Sequence, residues 1–252
     1  MGLYDRAMRA IEQADLVFEV VDARFHTLTR NHAIEEKIKA YEKKLALVYN
    51  KSDLISKKQQ NIIRKEVPPH TPCFFVSCKE HTGITRMRAH IGKTLPKGGK
   101  IAMIGYPNTG KSSLINALAG RKAARTSITA GFTRGEQLIK LNQDTYLIDS
   151  PGVIPFNQKN EAQLIMVGAK NAFTSKDPEG ACLKLLESAW HNKETRKRIE
   201  KTYHTRAPEN ASPEEWLESI ARNQNRLRKG GEPDTSVMAR KILLDWQKGK
   251  LA

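Results

Sequence analysis

The sequence is poor in cysteine and has no long apolar run. Its 252 residues include only three cysteines, Cys73, Cys78 and Cys182, too few and too unevenly spaced for a disulfide framework or a zinc site. We expect them to be small buried hydrophobes. No apolar stretch approaches the roughly 18 residues that cross a bilayer, and the N-terminus has no apolar secretion core. These absences predict a cytoplasmic protein without a membrane partner.

Acidic residues are scarce relative to basic ones. The chain has 43 Lys and Arg against 27 Asp and Glu, which gives a formal net charge of +16. Cations spread over the whole length favour a polyanionic partner, and RNA is the commonest one; we expect no DNA partner. Composition alone leaves open a basic surface that is merely solvated.

Short apolar runs separated by polar helical stretches predict an α/β fold. Continuous Val, Ile and Leu runs are typical of parallel strands that are buried on both faces. The turn NQD between two of these runs predicts a hairpin, and therefore one antiparallel edge on a mostly parallel sheet. The predicted strands lie in DLVFEVVDAR, KLALVYNKSD, PCFFVSCKE, KIAMIGYPN, EQLIKL and TYLIDSPG.

After Pro155 the strand pattern ends and the sequence becomes helical. Ser212, with proline and two glutamates directly after it, is typical of a helix start. We therefore expect an α/β domain over 1–157 and a small all-helical domain over 158–252. The predicted helices lie in EAQLIMVGAKNAF, EGACLKLLESAWHN, ETRKRIEKTYH, SPEEWLESIARNQNRL and TSVMARKILLDWQKG.

The segment GYPNTGKSS has the form of a phosphate-binding loop. A strand precedes it and a helix follows, so backbone N–H groups and a helix N-terminus are available to phosphate oxygens. Lys111 is expected to reach the β- and γ-phosphates, and the Ser112 hydroxyl to bind Mg²⁺. The loop by itself does not choose between ATP and GTP. The predicted contacts are Asn108, Thr109, Gly110, Lys111, Ser112 and Ser113.

The base is predicted to be read by NKSD, which follows the second strand. A carboxylate at Asp53 can accept hydrogen bonds from N1–H and the 2-amino group of guanine, whereas adenine presents an acceptor there. Asn50 is expected to serve the other edge of the base, and the Lys51 stem its face. Alone, such a pattern is more often a turn or helix cap. With the run VSCK, the predicted base contacts are Asn50, Lys51, Ser52, Asp53, Ser77, Cys78 and Lys79.

The run DSPG closes the strand TYLI and adds a fourth strand-terminal motif. Asp149 is expected to hold Mg²⁺ through water, and the N–H of Gly152 to meet the γ-phosphate. Asn50 precedes Gly105 in the chain, which reverses the usual motif order. The set resembles a translation-factor-type GTPase whose motif order is rotated, that is, a circularly permuted P-loop GTPase.

Two further stretches resemble the YlqF/RbgA group of circularly permuted ribosome-assembly GTPases. They are VVDARFHTLTRN, where Asp22 and Arg24 also fit a local ion pair, and the C-terminal KGGEPDTSVMARKILLDWQKGKL. The resemblance implies a monomer that binds GTP/GDP and Mg²⁺, with K⁺ held at Asn108. It also implies a helical domain that binds rRNA on the large ribosomal subunit, in keeping with the basic runs HNKETRKRIEK and RNQNRLRKGG.

The resemblance also implies catalytic residues and exposes a gap. Thr133 is expected to complete the Mg²⁺ shell with Ser112 and Asp149, with Thr129 as the fallback, and Lys111 and Thr133 are the predicted catalytic residues. Val153 and Ile154 stand where many GTPases have a water-orienting glutamine. Intrinsic hydrolysis should therefore be slow, and be stimulated by K⁺ or ribosomal subunits; His26 and His81 are weak substitutes.

Two other functions fit parts of this pattern. A GTP-gated RNA-binding scaffold with negligible turnover is consistent with the missing water-orienting side chain. An ATP-dependent phosphotransferase is consistent with the phosphate loop, but NKSD argues against it.

Overall fold

A six-stranded sheet forms the centre of the first half of the chain. The structure, a computed structural model, describes residues 2–120, 138–142, 145–148, 161–170, 172, 175–207 and 212–251. The strand order is β3-β2-β1-β4-β6-β5, and all neighbours are parallel except β5 and β6. The strands are β1 (Leu16–Asp22), β2 (Lys44–Asn50), β3 (Cys73–Val76), β4 (Gly99–Ile104), β5 (Leu138–Asn142) and β6 (Thr145–Ile148). The mostly parallel sheet with one antiparallel edge is confirmed.

Helices cover both faces of this sheet, which explains why β1 is buried along its whole length. Phe18 and alternate residues of β1 pack with side chains of α5 and α6, whereas Val17 packs with side chains of α1 and α3. Burying each such side chain stabilises the fold by about 1.5–3 kcal/mol. The helices are α1 (Leu3–Gln13), α2 (His26–Thr29), α3 (His32–Ala40), α4 (Lys57–Glu66), α5 (Ile84–Thr94) and α6 (Lys111–Ala119).

The second half of the chain is helical in the described residues. Its helices are α7 (Glu161–Met166), α8 (Pro178–His191), α9 (Lys193–Tyr203), α10 (Pro213–Asn223) and α11 (Thr235–Gln247). Ser212 caps α10 as predicted: its hydroxyl accepts from Glu215 N at 3.3 Å, and the Glu215 carboxylate accepts from Ser212 N at 2.9 Å. The chain divides into two compact units, Met1–Asn157 and Gln158–Ala252.

One predicted helix is shorter than the sequence pattern indicates. The helix expected over 161–173 ends at Met166, because Gly168 adopts a left-handed φ of 77° and its N–H turns back to Ile165 O at 2.9 Å. Cys182 is buried as expected, but Cys73 and Cys78 are only half-buried. Within the described ranges, none of the helices combines the length and apolarity that a membrane span requires.

Tryptophans build the core of the helical unit. Trp216 is fully buried and meets Trp190 edge to face, with ring centroids 5.5 Å apart at 84°. Trp246 is 7% exposed. All three tryptophans of the chain therefore report on this unit.

Candidate functional site

The predicted nucleotide motifs that the structure describes, NKSD, VSCK and the phosphate loop, follow strands that end at the same side of the sheet. Asp22 at the end of β1 lies opposite Asn50 at the end of β2, which lies opposite Val76 at the end of β3. The strand β4, which ends at Ile104, is parallel to β1 and leads into the phosphate loop. Because parallel strands place their carboxyl ends at the same edge, loops that are distant in sequence form one site.

Two glycines of the phosphate loop are required by close approach and by backbone conformation. Gly105 has φ +139°, and a Cβ there would collide with the carbonyl oxygen of Val20. Gly110 has φ +95°, and a Cβ there would collide with the side-chain amide of Asn50. Both angles lie in the region that side chains disfavour. The G-x-x-x-x-G spacing therefore fits the loop against β1 and against the base-reading segment.

Lys111 begins α6 and reaches back across the loop. Its Nζ donates to Gly105 O at 3.0 Å and to Tyr106 O at 2.6 Å. Thr109 is fully buried, and its hydroxyl donates to Tyr106 O at 2.9 Å. Ser112 and Ser113 are exposed in the first turn of the helix. The arrangement presents a cation, two hydroxyls and a helix N-terminus at one place, which suits phosphate.

The base-reading segment is hydrogen-bonded directly to this loop. Asn50 is 2% exposed, and its Nδ2 donates to Thr109 O at 2.8 Å. Nζ of Lys51 donates to Asn108 O at 2.8 Å. The predicted base contacts and phosphate contacts are thus brought together, although the strands β3 and β4 lie between them in the sequence.

Lys51 is held in a conformation that few residues adopt. Its φ is +59°, in the left-handed region, which costs a non-glycine residue about 1–2 kcal/mol. Burial lowers the pKa of its ammonium group, and the nearby Asp22 carboxylate opposes that shift. The strain persists because its side chain is fixed at both Asp22 and Asn108.

Asp22 is the site residue that sequence reasoning took for a local ion pair. Its carboxylate is fully buried and accepts from Arg24 Nη2 and from Lys51 Nζ, both at 2.8 Å. Burial raises the pKa of the carboxyl, but the two cations outweigh burial and the net shift is downward. The Arg24 pair is confirmed, and the contact with Lys51 adds Asp22 to the site. The Asp-Ala-Arg run was the signal that pointed to it.

Asp53 and the VSCK run meet beside this cluster. Asp53 is exposed in the turn Ser52–Leu54, and Ser52 itself is buried. Burial, followed by the negative charge of Asp53, raises the pKa of the Cys78 thiol to about 11. The turn Ser52–Leu54 itself is in contact with β3, the strand that leads to Cys78.

The VSCK run forms a tight loop at the end of β3. Ser77 is fully buried and exchanges two backbone hydrogen bonds of 3.1 Å with Thr82. The side chain of Lys79 is 77% exposed, and its Nζ lies 3.7 Å from Glu80 Oε1. The loop therefore holds backbone and side-chain groups beside Asp53, while Lys79 extends into solvent.

Several predicted residues lie outside the described part of the chain. These are Thr133, its alternative Thr129, Asp149 and Gly152. Among the residues that the structure does describe, no cluster of three or more His, Cys, Asp or Glu side chains can hold a metal. Of the three predicted Mg²⁺ ligands, Ser112 is the one that the structure describes, and its side chain is exposed in the first turn of α6.

The two histidines named as weak substitutes for a water-orienting residue have other surroundings. Nε2 of His26 lies 2.9 Å from Glu66 Oε2, at the end of α4. His81 is exposed, with a left-handed φ of 53°. The geometry gives His26 a carboxylate partner on another helix.

Comparisons with known proteins agree with this geometry. A family profile described as a 50S ribosome-binding GTPase matches residues 100–212. The uncharacterized GTP-binding protein MJ1464 of Methanocaldococcus jannaschii is 37% identical over 247 residues, 96% of this chain and 64% of the relative. Nucleolar GTP-binding protein 2 of Saccharomyces cerevisiae is 32% identical over 262 residues, 99% of this chain and 52% of the relative. The chain thus spans about half to two-thirds of the length of these relatives.

The fold is also found among solved structures. The crystal structure of GNP-bound YlqF from T. maritima superposes with a TM-score of 0.67 at 21% identity, covering 98% of this chain and 94% of that chain. Its GDP-bound form gives a TM-score of 0.65 at 22% identity. Together with the relatives that are 37% and 32% identical over nearly the whole chain, this shared fold places the chain in the family of circularly permuted GTPases of the YlqF/RbgA type.

Proposed function

We propose that the chain binds and hydrolyses GTP with Mg²⁺, and that it acts as an assembly factor for the large ribosomal subunit by binding rRNA. The observation that carries the nucleotide part is the direct contact between the two motifs. Asn50 and Lys51 donate to the carbonyl oxygens of Thr109 and Asn108, both at 2.8 Å. Base recognition and phosphate binding are thereby held in one rigid frame.

Guanine recognition follows from the chemistry of the NKSD side chains. A primary amide has two N–H groups, so Asn50 can donate one to Thr109 O and the other to N7 of guanine. Asp53 is exposed at the same edge and is available to N1–H and the 2-amino group. The stem of Lys51 covers the face of the base. Adenine would leave the Asp53 carboxylate opposite an acceptor.

The phosphate groups are expected at the loop and the N-terminus of α6. Lys111 begins that helix and would neutralise charge on the β- and γ-phosphates. Ser112, Asp149 and Thr133 would hold Mg²⁺, which supplies Lewis-acid stabilisation of the phosphates. The VSCK loop and Gly152 would complete the contacts. K⁺ at Asn108 stays part of the proposal, as does the assignment of Lys111 and Thr133 as catalytic residues.

The helical unit offers a basic stripe for RNA. Lys193, Lys197 and Lys201 are exposed at four-residue intervals on α9, while Ile199 and Tyr203 on the other side of that helix are buried. A stripe of this kind binds phosphates without reading sequence. The match to the family of 50S ribosome-binding GTPases and the nucleolar relatives support a ribosomal partner. The cytoplasmic location and the monomeric state stay predictions.

The first test is single-turnover hydrolysis of GTP and ATP, with and without purified large ribosomal subunits, in K⁺ and then in Na⁺. We expect GTP alone to turn over, slowly in isolation and faster with subunits. Equal hydrolysis of ATP would contradict the proposal. Asp53→Asn is the matched variant: it exchanges an acceptor for a donor, so xanthine nucleotides should replace guanine nucleotides as the preferred ligand.

One observation favours a second function. Val153 and Ile154 stand where many GTPases have a water-orienting glutamine, and neither side chain can hydrogen-bond a water molecule. A GTP-gated RNA-binding scaffold would therefore show GTP-dependent subunit binding with negligible turnover under all of these conditions. Turnover that rises with subunits would exclude it.

A further inference from the structure

Asp22, the last residue of β1, joins the two loops of the nucleotide site through one buried carboxylate. The carboxylate accepts from Lys51 Nζ at 2.8 Å and from Arg24 Nε and Nη2 at 3.0 and 2.8 Å. The same Lys51 ammonium group donates to Asn108 O, in the phosphate loop, at 2.8 Å. Asp22 therefore fixes a cation that is itself bound to the loop.

We propose that Asp22 is a positioning residue for the guanine nucleotide, and that it acts through Lys51 while Arg24 fixes its carboxylate. This inference rests on the proposed function and adds to it a residue outside NKSD, VSCK and the phosphate loop. If Asp22 only capped the turn after β1, its replacement would have no effect on nucleotide affinity that depends on Lys51.

The physical argument begins with the two cations. A lysine ammonium group is strongly hydrated and sits on a flexible stem, so without a fixed partner it returns to water. Arg24 contacts both carboxylate oxygens in a planar, bidentate geometry and is only 4% exposed, which fixes the carboxylate itself. Arg24 therefore positions the Asp22 carboxylate, and that carboxylate in turn positions the Lys51 ammonium group.

The backbone supports the same direction of action. Lys51 keeps a left-handed φ of +59°, while its ammonium group donates to both Asp22 Oδ2 and Asn108 O at 2.8 Å. Such a conformation persists where surrounding contacts hold it, and the Asp22 carboxylate is one of the two groups that hold this side chain.

The test is a double-mutant cycle on the full chain, with fluorescent N-methylanthraniloyl-GDP as the probe. Asp22→Asn keeps the shape and removes the charge, and Lys51→Met keeps the apolar stem. Each single variant should weaken GDP binding roughly tenfold or more. The double variant should bind no more weakly than Lys51→Met alone, because Asp22 acts only through the ammonium group.

A matched control breaks another buried ion pair in the same unit. Glu35→Gln removes the partner of Arg30, whose Nε and Nη2 donate at 2.6 and 2.8 Å, and it should leave GDP affinity unchanged. In GTP hydrolysis, Asp22→Asn should raise KM and leave kcat within about twofold, the signature of lost ground-state positioning.

Additive losses in the double variant, or wild-type affinity in Asp22→Asn, would overturn the inference. If circular dichroism shows that Asp22→Asn is unfolded, Arg24→Gln replaces it in the cycle. That variant keeps the Asp22–Lys51 pair, and it should lose affinity several-fold in the wild-type background and none in Lys51→Met. A wild-type chain that fails to bind GDP would instead contradict the proposed function.

Discussion

The two units of the molecule each contain a buried aspartate that pairs with two cations. In the α/β unit, Asp22 is fully buried and binds Arg24 and Lys51. In the helical unit, Asp245 is 4% exposed and binds Lys241 and Lys250 at 2.7 and 2.9 Å, together with the Tyr203 hydroxyl at 3.1 Å. The chemistry of the two clusters is therefore nearly the same.

The surroundings of the cations differ. Arg24 is almost fully buried, and Lys51 extends to a second loop, whereas the Lys241 and Lys250 side chains are 39% and 58% exposed. Through Lys51, Asp22 thus connects two segments that are predicted to bind the nucleotide. Asp245, in contrast, connects α11 to Lys250, which follows that helix, and to Tyr203 at the end of α9. The comparison shows that the role of a buried ion pair depends on which other segments its cations contact.

The largest predicted difference between the two clusters is in the stability that is lost when each carboxylate is removed. Asp22→Ala leaves a buried guanidinium group without its partner and should cost about 3–5 kcal/mol of unfolding free energy. Asp245→Ala should cost about 1–2 kcal/mol, because its lysines return to water and only the buried Tyr203 hydroxyl loses a partner.

Urea unfolding can assign these two losses separately. All three tryptophans lie in the helical unit, so their fluorescence follows that unit, whereas far-UV circular dichroism follows the whole chain. Asp245→Ala should shift the fluorescence transition, and Asp22→Ala should shift the remaining dichroism transition. Equal losses in both variants would contradict the comparison.

A third buried acid, Glu19, extends the comparison to the pH dependence of stability. Glu19 lies on β1 with Asp22, but its Oε1 accepts from Asn31 N at 2.6 Å, and its Oε2 has no partner among the described residues. Burial, followed by the negative charge of Glu35, raises the pKa of Glu19 from 4.5 to about 8. The folded chain thus holds a proton that the unfolded chain releases.

The sign of the pH dependence follows from that difference. Glu19 stabilises the fold fully below its unfolded pKa of 4.5, and this contribution is lost as the pH rises towards about 8. Stability should fall by up to roughly 1.4 kcal/mol per pH unit in that window. Urea unfolding at pH 5.5 and 7.5 measures this, and Glu19→Gln should flatten the profile; an unchanged slope would refute it.

Asp22 and Asp245 should show the opposite dependence. The pKa of each carboxyl is lowered, because paired cations outweigh burial. Their contribution is present above the unfolded pKa of 3.8 and is lost only as the pH falls through the lower folded pKa. These two residues therefore contribute nothing to the slope near neutral pH, in contrast to Glu19.

Glycine substitutions provide a smaller contrast between the units. Gly110 and Gly230 both have positive φ, at +95° and +102°, but a Cβ collides with Asn50 only at Gly110. Gly110→Ala should therefore cost about 1–3 kcal/mol and abolish tight GDP binding. Gly230→Ala should cost about 1 kcal/mol from backbone strain alone and leave GDP affinity unchanged. Fluorescent GDP titration and urea unfolding measure both.

Helix caps give the smallest effect. Ser212→Ala in α10 and Ser56→Ala in α4 each remove a capping hydroxyl, and each should cost about 1 kcal/mol. Only Ser212→Ala should shift the tryptophan transition, since α10 lies in the helical unit. A shift of that transition in Ser56→Ala would show that the two units unfold together.

Local patterns predicted the strands, the hairpin and the phosphate loop because each depends on neighbouring residues. The run KIAMI and the glycines that follow it are sufficient to place a strand and a tight loop. The early end of α7 was missed because Gly168 reads as an ordinary interior residue until its φ is known. Likewise, no local rule shows that Glu19 is buried; its partner Asn31 comes from the loop after α2.

The candidate site likewise combines features that the local sequence predicts with features that it does not. Residue types and spacing predicted Asn50, Lys51, Asp53 and Lys111, but they did not predict that Asp22 holds Lys51, a contact between two strand ends. Sequence distance hides such contacts, because strand order in a permuted sheet is a tertiary property. The nucleotide-binding roles of these residues, and those of Thr133, Asp149 and Gly152, stay predictions.

The exposed turn at Gly98 separates two halves of one binding site. The residues that are predicted to read the base lie before it, at the ends of β1, β2 and β3, and those that are predicted to bind phosphate lie after it, from β4 onward. Gly98 has φ +78° and open space around it. A chain opened there would divide the predicted nucleotide site between two polypeptides, which β1–β4 pairing would still join. Because a ligand that binds only the assembled form stabilises it, we expect GTP to strengthen the association of the two polypeptides.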